Sequence, residues 1–283
     1  MFLQPALEIR NLQKRFGTKE ALKGISFFLN KGELFSLLGP NGAGKTTTLR
    51  ILSGLTLPTA GEVLVLGKSL YNNELWAKRK IGLVPQHVNL DVELTVEENL
   101  FIHGLLYKMS LSEIRKRIFE LLEFADLKDR AKAKVKELSG GLKRRLLIIR
   151  ALFHYPEILL LDEPTVGLDP HIRRKLWNFI KLIQSQGTTI LLTTHYMEEA
   201  EFLSDRVAFI SDGKIIKIDT PQNFIKTLGE FALDVFTEEG YKTFYFNQKE
   251  EAEKMFLKHS QSNSYVTLRK TTLEDAFIKL TVR

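Results

Sequence analysis

A glycine-rich segment at residues 39–46 constrains this chain more than any other feature of its sequence. Gly-Pro-Asn-Gly-Ala-Gly-Lys-Thr fits the pattern G-x-x-x-x-G-K-[ST]. The apolar run at residues 34–38 predicts a buried strand before it, and residues 47–52 predict the first turns of a helix after it. A strand, a glycine-rich turn and a helix N-terminus present several backbone N–H groups to a phosphate chain. We therefore expect a nucleotide here, with the Lys45 ammonium facing the β- and γ-phosphates and the Thr46 hydroxyl facing Mg²⁺.

Length and composition are those of an ordinary globular chain. The 283 residues are 44% hydrophobic and 27% charged, which is typical of a soluble protein with one large or two modest domains. No apolar run approaches the roughly 18 residues of a membrane-spanning helix, and residues 1–5 lack the basic start and apolar core of a signal peptide. There are no cysteines, which excludes disulfides, thiol catalysis and cysteine-ligated metals and is compatible with a cytosolic location.

The net charge of +7 is unevenly distributed. Between Lys108 and Arg150 there are 13 Lys/Arg and 6 Asp/Glu, so this segment alone carries +7. Two interpretations are open: a solvated helical face, or a surface that meets anionic lipid head groups or an acidic partner. We do not expect nucleic acid as a partner, because the basic residues follow helical patterns without interleaved exposed aromatic residues.

Periodicity predicts strands on both sides of a helical middle section. Alternating segments predict short strands, and an antiparallel sheet beside a parallel one, at residues 7–12, 25–29 and 62–66. A further strand is predicted at residues 80–86, a segment that contains a proline near its end. Continuous apolar runs predict buried strands at residues 158–161 and 188–193. Asp-Gly between residues 207–210 and 214–216 predicts a hairpin of two strands.

Two capping-box patterns predict helices in the middle of the chain. Thr95 with Glu98, and Ser110 with Glu113, fit the sequence [ST]-x-x-E. An apolar stripe at helical spacing follows the second box and is best explained as core; it comprises Ile114, Ile118, Leu121, Leu122 and Ala125. From about residue 231 the pattern changes to short strand-like pieces with more charge and a final helix at 273–280, which predicts a small C-terminal subdomain.

Polar residues at strand ends predict the chemistry. Asp162 and Glu163 close the apolar strand at 158–161. Beside a glycine-rich phosphate loop, Asp162 is expected to hold Mg²⁺ and Glu163 to orient or deprotonate an attacking water. His195 ends the next buried strand and would point to the same crevice, where ligands bind in parallel sheets. The same residues could instead be two solvated acids and a structural histidine.

Residues 138–142, Leu-Ser-Gly-Gly-Leu, open another helix. Serine and glycines at a helix N-terminus form a second phosphate-binding surface. Ser-Gly-Gly also marks ordinary turns, but here it precedes a helix with apolar positions at Leu146, Leu147, Ile149 and Leu152.

Taken in order, these motifs make the chain resemble an ATP-binding-cassette (ABC) ATPase over roughly residues 5–230. The matching elements are the Walker A motif (39–46), the Q-loop glutamine (Gln86), the signature motif (138–142), the Walker B motif (158–162) with the catalytic glutamate (Glu163), the D-loop (167–169) and the switch histidine (His195). Phe16 falls where this family places an aromatic ring against adenine. The family's signature usually ends in Gln, and Leu142 occupies that place; the adenine partner is Phe rather than the more usual Tyr.

The resemblance implies a fold and its subdivision. The fold would be α/β, of the P-loop NTPase type, with a RecA-like parallel sheet core and an antiparallel β subdomain. An ABC ATPase domain would span residues 5–230, with a helical signature subdomain at about 88–158, and a small C-terminal α+β subdomain would span 231–283.

The resemblance also implies a set of site residues. Catalytic roles fall to Glu163, His195, Gln86 and Lys45. Nucleotide contacts fall to Phe16, Gly39, Pro40, Asn41, Gly42, Ala43, Gly44, Lys45, Thr46, Thr47, Ser139, Gly140, Gly141 and Asp169. Contacts to Mg²⁺ fall to Thr46, Gln86 and Asp162. The cofactors expected on this basis are ATP and Mg²⁺.

The partners implied are a second copy of the chain and separate transmembrane permease subunits. Each ATP would lie between residues 39–46 of one subunit and residues 139–141 of the other, and the helical region would dock onto the membrane subunits. The expected location is peripheral, on the cytoplasmic side of the inner membrane. The transported ligand is not expected to contact this chain, and residues 231–283 could regulate, dimerise or simply pack.

Two segments resemble the type-2 ABC exporters of drugs, polysaccharides and lipo-oligosaccharides: residues 142–145, Leu-Lys-Arg-Arg, and residues 272–277, Thr-Leu-Glu-Asp-Ala-Phe. The second could instead be an ordinary capped helix. Soluble ABC ATPases of translation or repair are the competing class; against them stand the single Walker A motif and the short span of 53 residues from Gln86 to Ser139. A catalytically silent subunit and an importer ATPase are also compatible with a single cassette. Intact Lys45, Glu163 and His195 argue against the silent subunit.

Overall fold

A computed structural model of the chain describes residues 4–237, 240–260 and 265–281. The strands are β1 (Leu7–Phe16), β2 (Lys19–Leu29), β3 (Leu34–Leu38), β4 (Ala60–Val65), β5 (Lys68–Ser69), β6 (Ile81–Val84), β7 (Ile158–Asp162), β8 (Thr189–Thr194), β9 (Arg206–Ser211), β10 (Lys214–Asp219), β11 (Phe231–Thr237), β12 (Gly240–Phe246) and β13 (Tyr265–Lys270). The helices are α1 (Lys45–Leu52), α2 (Glu74–Lys80), α3 (Val96–Leu106), α4 (Leu111–Phe124), α5 (Gly140–Ala151), α6 (Pro170–Ser185), α7 (Met197–Leu203), α8 (Pro221–Lys226), α9 (Lys249–Ser260) and α10 (Leu273–Thr281), with short 3₁₀ turns at Lys128–Arg130 and Val135–Glu137.

A six-stranded sheet in the order β10-β9-β3-β8-β7-β6 forms the centre of the molecule. All neighbours pair in parallel except β9 and β10, which form the predicted hairpin. Strands β3, β7 and β8 are buried along their whole length, because both faces of the sheet are covered. Residues on β7 alternate accordingly: Leu159 and Leu161 pack in one hydrophobic cluster, and Ile158 and Leu160 in another.

The second of these clusters lies between the central sheet and the predicted antiparallel sheet, whose order is β2-β1-β4-β5. Leu7, Ile9 and Leu12 of β1 are fully buried there. Leu7 and Ile9 face the same side because residues of a strand alternate, and an irregularity in the pairing with β2 between Ile9 and Leu12 brings Leu12 to that side as well. Leu49 and Leu52 of α1 join them. The antiparallel sheet therefore fixes the helix that follows the glycine-rich loop.

The first cluster joins the other face of the central sheet to the helical region. Both predicted capping boxes are present: the side chains of Thr95 and Ser110 accept from the N–H of Glu98 and Glu113, whose carboxylates accept in return. The predicted stripe is buried in this cluster at Ile114, Ile118, Leu121, Leu122 and Ala125.

The C-terminal part contains a three-stranded antiparallel sheet in the order β12-β11-β13, with α9 and α10. The Arg269 guanidinium joins Asp234 of the sheet, at 2.7 Å, to Asp275 of α10, also at 2.7 Å. Leu273 and Ala276 of α10 are buried in a third cluster with residues of the central sheet, α7 and α8. The last helix thus ties the C-terminal sheet to the core of the chain.

Much of the positive charge between Lys108 and Arg150 is paired locally. Lys132 lies 2.6 Å from Glu97, Lys136 lies 2.9 Å from Glu93, and other basic side chains of the segment donate to backbone carbonyls. These contacts favour the interpretation of the segment as a solvated helical face. Among the described residues, no helix combines the length and apolar character needed to cross a membrane.

Candidate active site

The glycine-rich loop runs from the end of β3 to the start of α1, as predicted. Gly39 and Gly44 are required by its geometry. A Cβ at Gly39 would lie 2.0 Å from the Ile210 carbonyl oxygen, and Gly44 has a φ of 109°, which L side chains rarely adopt. Ala43 anchors the loop, since its carbonyl accepts from the Gly213 N–H at 3.1 Å. The loop is therefore pinned to the β9–β10 hairpin.

Lys45 is enclosed by this loop. Its Nζ atom donates to the carbonyls of Gly39 at 2.7 Å and Pro40 at 3.1 Å, and lies 3.3 Å from Glu163 Oε1. The side chain is only 4% exposed. A buried ammonium held by oxygens on several sides is fixed in position to meet an anionic ligand.

Asp162 ends β7 next to the loop, and its Oδ1 atom accepts from two hydroxyls. Thr193 of β8 donates at 2.7 Å, and Thr46 of α1 donates at 3.3 Å. The parallel register of β7 and β8 places Asp162 opposite Thr193. Burial raises the pKa of the Asp162 carboxyl above its usual value, and the two hydroxyl donors oppose that rise.

Glu163 is the centre of a cluster of polar side chains from distant parts of the sequence. Its Oε2 atom accepts from Gln86 Nε2 at 3.2 Å and lies 3.2 Å from His195 Nδ1, while Oε1 faces Lys45. Its φ is 45°, a left-handed conformation that is unfavourable for a residue with a Cβ. The backbone is held there by a hydrogen bond from the Glu163 N–H to the Thr193 carbonyl at 3.0 Å. Such strain concentrates at functional sites.

These groups face a cleft of about 480 Å³. Its lining comprises Phe16, Lys19, Ala21, Asn41, Gly42, Gly44, Lys45, Thr46, Thr47, Gln86, Glu163, Val166 and His195. The Phe16 ring is half exposed at the end of β1. The cleft therefore has an aromatic surface at one part of its wall, and a phosphate-binding loop and a carboxylate at others. A second, adjoining cleft is lined by Thr46 and Gln86 together with Asp162.

Other predicted residues lie elsewhere on this chain. Ser139 is the N-cap of α5 and accepts from the Leu142 N–H at 3.4 Å; Ser139 and Gly141 line a separate cleft with residues of α6. Asp169 is the N-cap of α6 and accepts from the Ile172 N–H at 3.0 Å. One copy of the chain thus presents two surfaces, which its own fold does not bring together.

Four residues of the site were not found from the sequence. Lys19, Ala21 and Val166 line the cleft, and Thr193 orients Asp162. Lys19 pairs with Phe16 in the β1–β2 register, so its position follows once that hairpin is known. Thr193 lies in β8, and the local sequence does not determine how the residues of β8 pair with those of β7.

A family model described as ABC transporter matches residues 22–166, half of the chain. The chain belongs to the ABC transporter family. Among curated relatives, this ABC protein is 47% identical to Nod factor export ATP-binding protein I of Burkholderia lata, over 81% of this chain and 75% of that one. It is 39% identical to the protein of the same name from Cupriavidus pinatubonensis, over 99% of this chain and 92% of that one.

Solved structures agree with the family. The ATP-binding cassette MJ0796, in a dimeric post-hydrolysis state bound to ADP and Pi, has a TM-score of 0.67 and 34% identity; the match covers 76% of this chain and 98% of that one. The predicted P-loop NTPase fold is therefore confirmed. This ABC protein is an ATPase, a subunit that binds and hydrolyses ATP for a transporter.

Proposed function

We propose that the chain powers a membrane exporter by ATP-driven dimerisation, and that the cleft around Glu163 is where ATP is hydrolysed. The observation that carries this proposal is the arrangement around Glu163. Its carboxylate lies within 3.3 Å of the phosphate-loop lysine, the Gln86 amide and the His195 imidazole. A carboxylate next to the γ-phosphate position is suited to act on an attacking water.

The residues predicted from the sequence then have these roles in the cleft. The backbone N–H groups of residues 39–46 and the Lys45 ammonium bind the phosphate chain, and Phe16 stacks on the adenine ring. Glu163 removes a proton from the water that attacks in line. His195 contacts the γ-phosphate, and Gln86 orients the water with Glu163. Because most of these groups are fixed before reaction, little reorganisation is needed as charge develops.

The donor set fits Mg²⁺. Thr46 and Asp162 offer a hydroxyl and a buried carboxylate 3.3 Å apart, and Gln86 offers an amide oxygen to the cleft that all three line. Hard oxygen donors of this kind suit Mg²⁺, which usually keeps several waters. When bound, the ion would neutralise charge on the β- and γ-phosphates. The Thr193 hydroxyl would keep the Asp162 carboxylate turned towards it.

The second phosphate surface supports a head-to-tail dimer. Ser139, Gly140 and Gly141 begin α5 away from the cleft that contains Lys45. Two copies related by a two-fold axis would each supply this helix start to the partner's ATP, along with the Asp169 loop. The dimeric cassette bound to ADP and Pi supports this arrangement.

The helical region supports a membrane partner. Helix α3 leaves Ile102, Leu105 and Leu106 exposed, the last by 74%. Ile102 and Leu106 line a groove of about 200 Å³ together with Asn89, three residues past Gln86. Exposed apolar side chains around a groove are typical of a protein interface. A permease loop seated there would reach the segment that carries Gln86, and would keep the chain at the cytoplasmic side of the inner membrane.

The relatives favour export as the direction of transport. Both curated relatives carry the words export ATP-binding protein in their names, in agreement with the resemblance of residues 142–145 and 272–277 to exporters. These names do not favour an importer ATPase or a soluble ABC ATPase. The transported molecule would pass through the permease rather than contact the residues described above.

The test uses the Glu163→Gln chain, which should bind ATP, hydrolyse it at a rate reduced by about 10³-fold, and stay dimeric for as long as ATP is bound. Its mass in solution with and without ATP is measured by light scattering. It is then tagged and recovered from solubilised membranes with ATP. We expect a dimer only with ATP, and co-purification of a polytopic membrane protein that has no ATPase domain of its own.

The matched control is the double variant Glu163→Gln with Ser139→Ala, which lacks the partner-facing hydroxyl and should remain monomeric at the same ATP concentration. Hydrolysis of ATP by Glu163→Gln at near the wild-type rate would contradict the assignment of Glu163 as the general base. Recovery of ribosomes or DNA in place of a membrane protein would remove the exporter assignment.

A further inference from the structure

A second carboxylate is buried beside the site without lining the cleft. Glu199 lies on α7, four residues after His195, and has no exposed surface. Its Oε1 atom accepts from the Thr165 hydroxyl at 2.8 Å and from the Trp177 indole N–H at 3.0 Å. Both donors are also buried. The carboxylate therefore joins three separate segments of the chain in the interior.

Two of these segments carry the reactive side chains. Thr165 follows Glu163 by two residues, in the loop whose backbone is left-handed at Glu163. Glu199 is linked to His195 by the first turn of α7. The hydrogen bond from Thr165 to Glu199 therefore connects the loop that follows Glu163 to the helix that follows His195. Those two groups meet with 3.2 Å between His195 Nδ1 and Glu163 Oε2.

The third segment is helix α6, which starts at the Asp169 N-cap. Trp177 is nearly fully buried on the side of α6 that faces α7 and stacks on Phe202 at 5.3 Å between ring centroids. Its indole N–H has Glu199 as its acceptor. The Glu199 carboxylate therefore also connects α7 to α6, the helix that begins at Asp169, which is expected to face the partner copy.

A charged group at this position is costly for folding. Burial raises the pKa of Glu199, while donors at Thr194, Thr165 and Trp177 and the positive charge of Arg173 favour the ionised form. An apolar side chain of similar volume would fill the same space without this desolvation cost. Perturbed, buried carboxylates beside a cleft are often retained for function.

We propose that Glu199 is a positioning residue for ATP hydrolysis. Its hydrogen bonds to Thr165 and Trp177 hold Glu163 and His195 at their working separation, and it acts through these two groups without touching the nucleotide. The inference rests on the function proposed above. It adds a determinant of the hydrolytic rate that lies outside the cleft.

The test compares Glu199→Ala with Glu199→Gln. The amide oxygen of Gln can accept both hydrogen bonds, so we expect its kcat within about threefold of wild type. Alanine leaves both donors without an acceptor and frees the loop after Glu163, so we expect kcat to fall at least about tenfold, with the KM for ATP changed less than about threefold. Titration with ATP should show unchanged binding in both variants.

Three further variants separate positioning from general destabilisation. Phe224→Leu, in a different core cluster, should lower Tm while leaving kcat unchanged when rates are measured well below its melting transition. Thr165→Ala removes one donor only and should give an intermediate loss of kcat. In a Glu163→Gln background, Glu199→Ala should lower the residual rate less than about threefold, because the part of its effect that passes through Glu163 is already lost.

Several outcomes would overturn the inference. They are wild-type kcat in Glu199→Ala, equal losses in Glu199→Gln and Glu199→Ala, or a further tenfold loss in the Glu163→Gln background. Failure of the proposed function itself would look different, since Glu163→Gln alone would then hydrolyse ATP at near wild-type rate.

Discussion

Arg144 donates hydrogen bonds to the two backbone carbonyls that flank the Cα of Gln86: to the Gln86 carbonyl at 2.9 Å and to the Pro85 carbonyl at 3.0 Å. Its guanidinium is buried on α5, five residues after Ser139. The planar guanidinium donates to the two carbonyls from two separate nitrogens held in a fixed fork, which the single nitrogen of a lysine ammonium cannot reproduce. The helix that begins at the second phosphate surface is therefore fixed to the loop that places Gln86 against Glu163.

Replacing Arg144 should loosen that loop. Arg144→Ala leaves two partly buried carbonyls without these donors and removes a buried side chain, and we expect it to cost about 2–4 kcal/mol of the free energy of unfolding. It should also lower kcat, because the Gln86 amide is no longer held against Glu163. Arg144→Lys should recover only part of either loss. Thermal unfolding and steady-state ATPase assays measure the two effects.

The matched control for Arg144 is Lys143→Ala, one position earlier on the same helix. Lys143 makes a single long contact, to the Lys136 carbonyl at 3.5 Å, so its removal should change stability by less than about 0.5 kcal/mol. A stable, fully active Arg144→Ala chain would mean that the Gln86 loop holds its position without the guanidinium.

Removal of the Lys45 ammonium should affect binding before it affects catalysis. Lys45→Ala eliminates the charge that faces the phosphates, and we expect the Kd for ATP to rise by about 100-fold, as loss of one strong charge-assisted contact predicts. Isothermal titration calorimetry with ATP measures this change. Lys78→Ala, whose side chain pairs with Glu74 on the surface, should bind ATP as wild type does. Equal affinities of Lys45→Ala and Lys78→Ala for ATP would contradict the assignment of residues 39–46 as the phosphate-binding loop.

The C-terminal helix should contribute to the stability of the ATPase domain. The Leu273 N–H donates to Glu201 Oε2 of α7 at 2.9 Å, and its side chain is fully buried against residues that include Phe209 and Phe224. Leu273→Ala should therefore cost about 2–4 kcal/mol and lower Tm by several degrees. Leu257→Ala on α9, which is 61% exposed, should leave Tm nearly unchanged. A similar small effect of both variants would show that α10 packs only loosely on the domain.

Local signals were enough to predict the parts of the site that lie in continuous motifs. The phosphate loop depends on glycine spacing between a strand and a helix. Asp162, Glu163 and His195 follow buried apolar runs and lie at the carboxyl ends of parallel strands. The strand order then brings them together. The capping boxes at Thr95 and Ser110 are local for the same reason.

Contacts between distant segments could not be predicted in this way. Arg144 is 58 residues from Gln86 in sequence, and its acceptors are backbone carbonyls, which every residue possesses. Glu199 lies in a short charged segment, Met-Glu-Glu-Ala-Glu, where only the packing of α7 on α6 decides which carboxylate is buried. The left-handed backbone at Glu163 likewise occurs together with a hydrogen bond to β8 and is not a preference of glutamate.

Two partly buried histidines should make the folded state sensitive to acid. Burial lowers the pKa of His103 and of His154 from 6.5 to about 4, with the positive charges of Arg150 and Arg117 adding to the respective shifts. The two rings lie 6.0 Å apart, and His154 stacks on Tyr107 at 3.8 Å.

The sign of the effect follows from proton uptake. Between pH 6.5 and 4 the unfolded chain binds protons on both histidines while the folded chain does not, so the free energy of unfolding falls as pH falls through this range and is flat, as far as these groups are concerned, above it. We expect a loss of about 1–2 kcal/mol per histidine at pH 5 relative to pH 7.5. Thermal melts across this range measure the slope. His154→Gln, which keeps a donor for the Ile81 carbonyl, should remove about half of it, whereas His171→Gln on the exposed side of α6 should leave it intact. Equal slopes in the wild type and His154→Gln would show that His154 is protonated in the folded chain as readily as in the unfolded one.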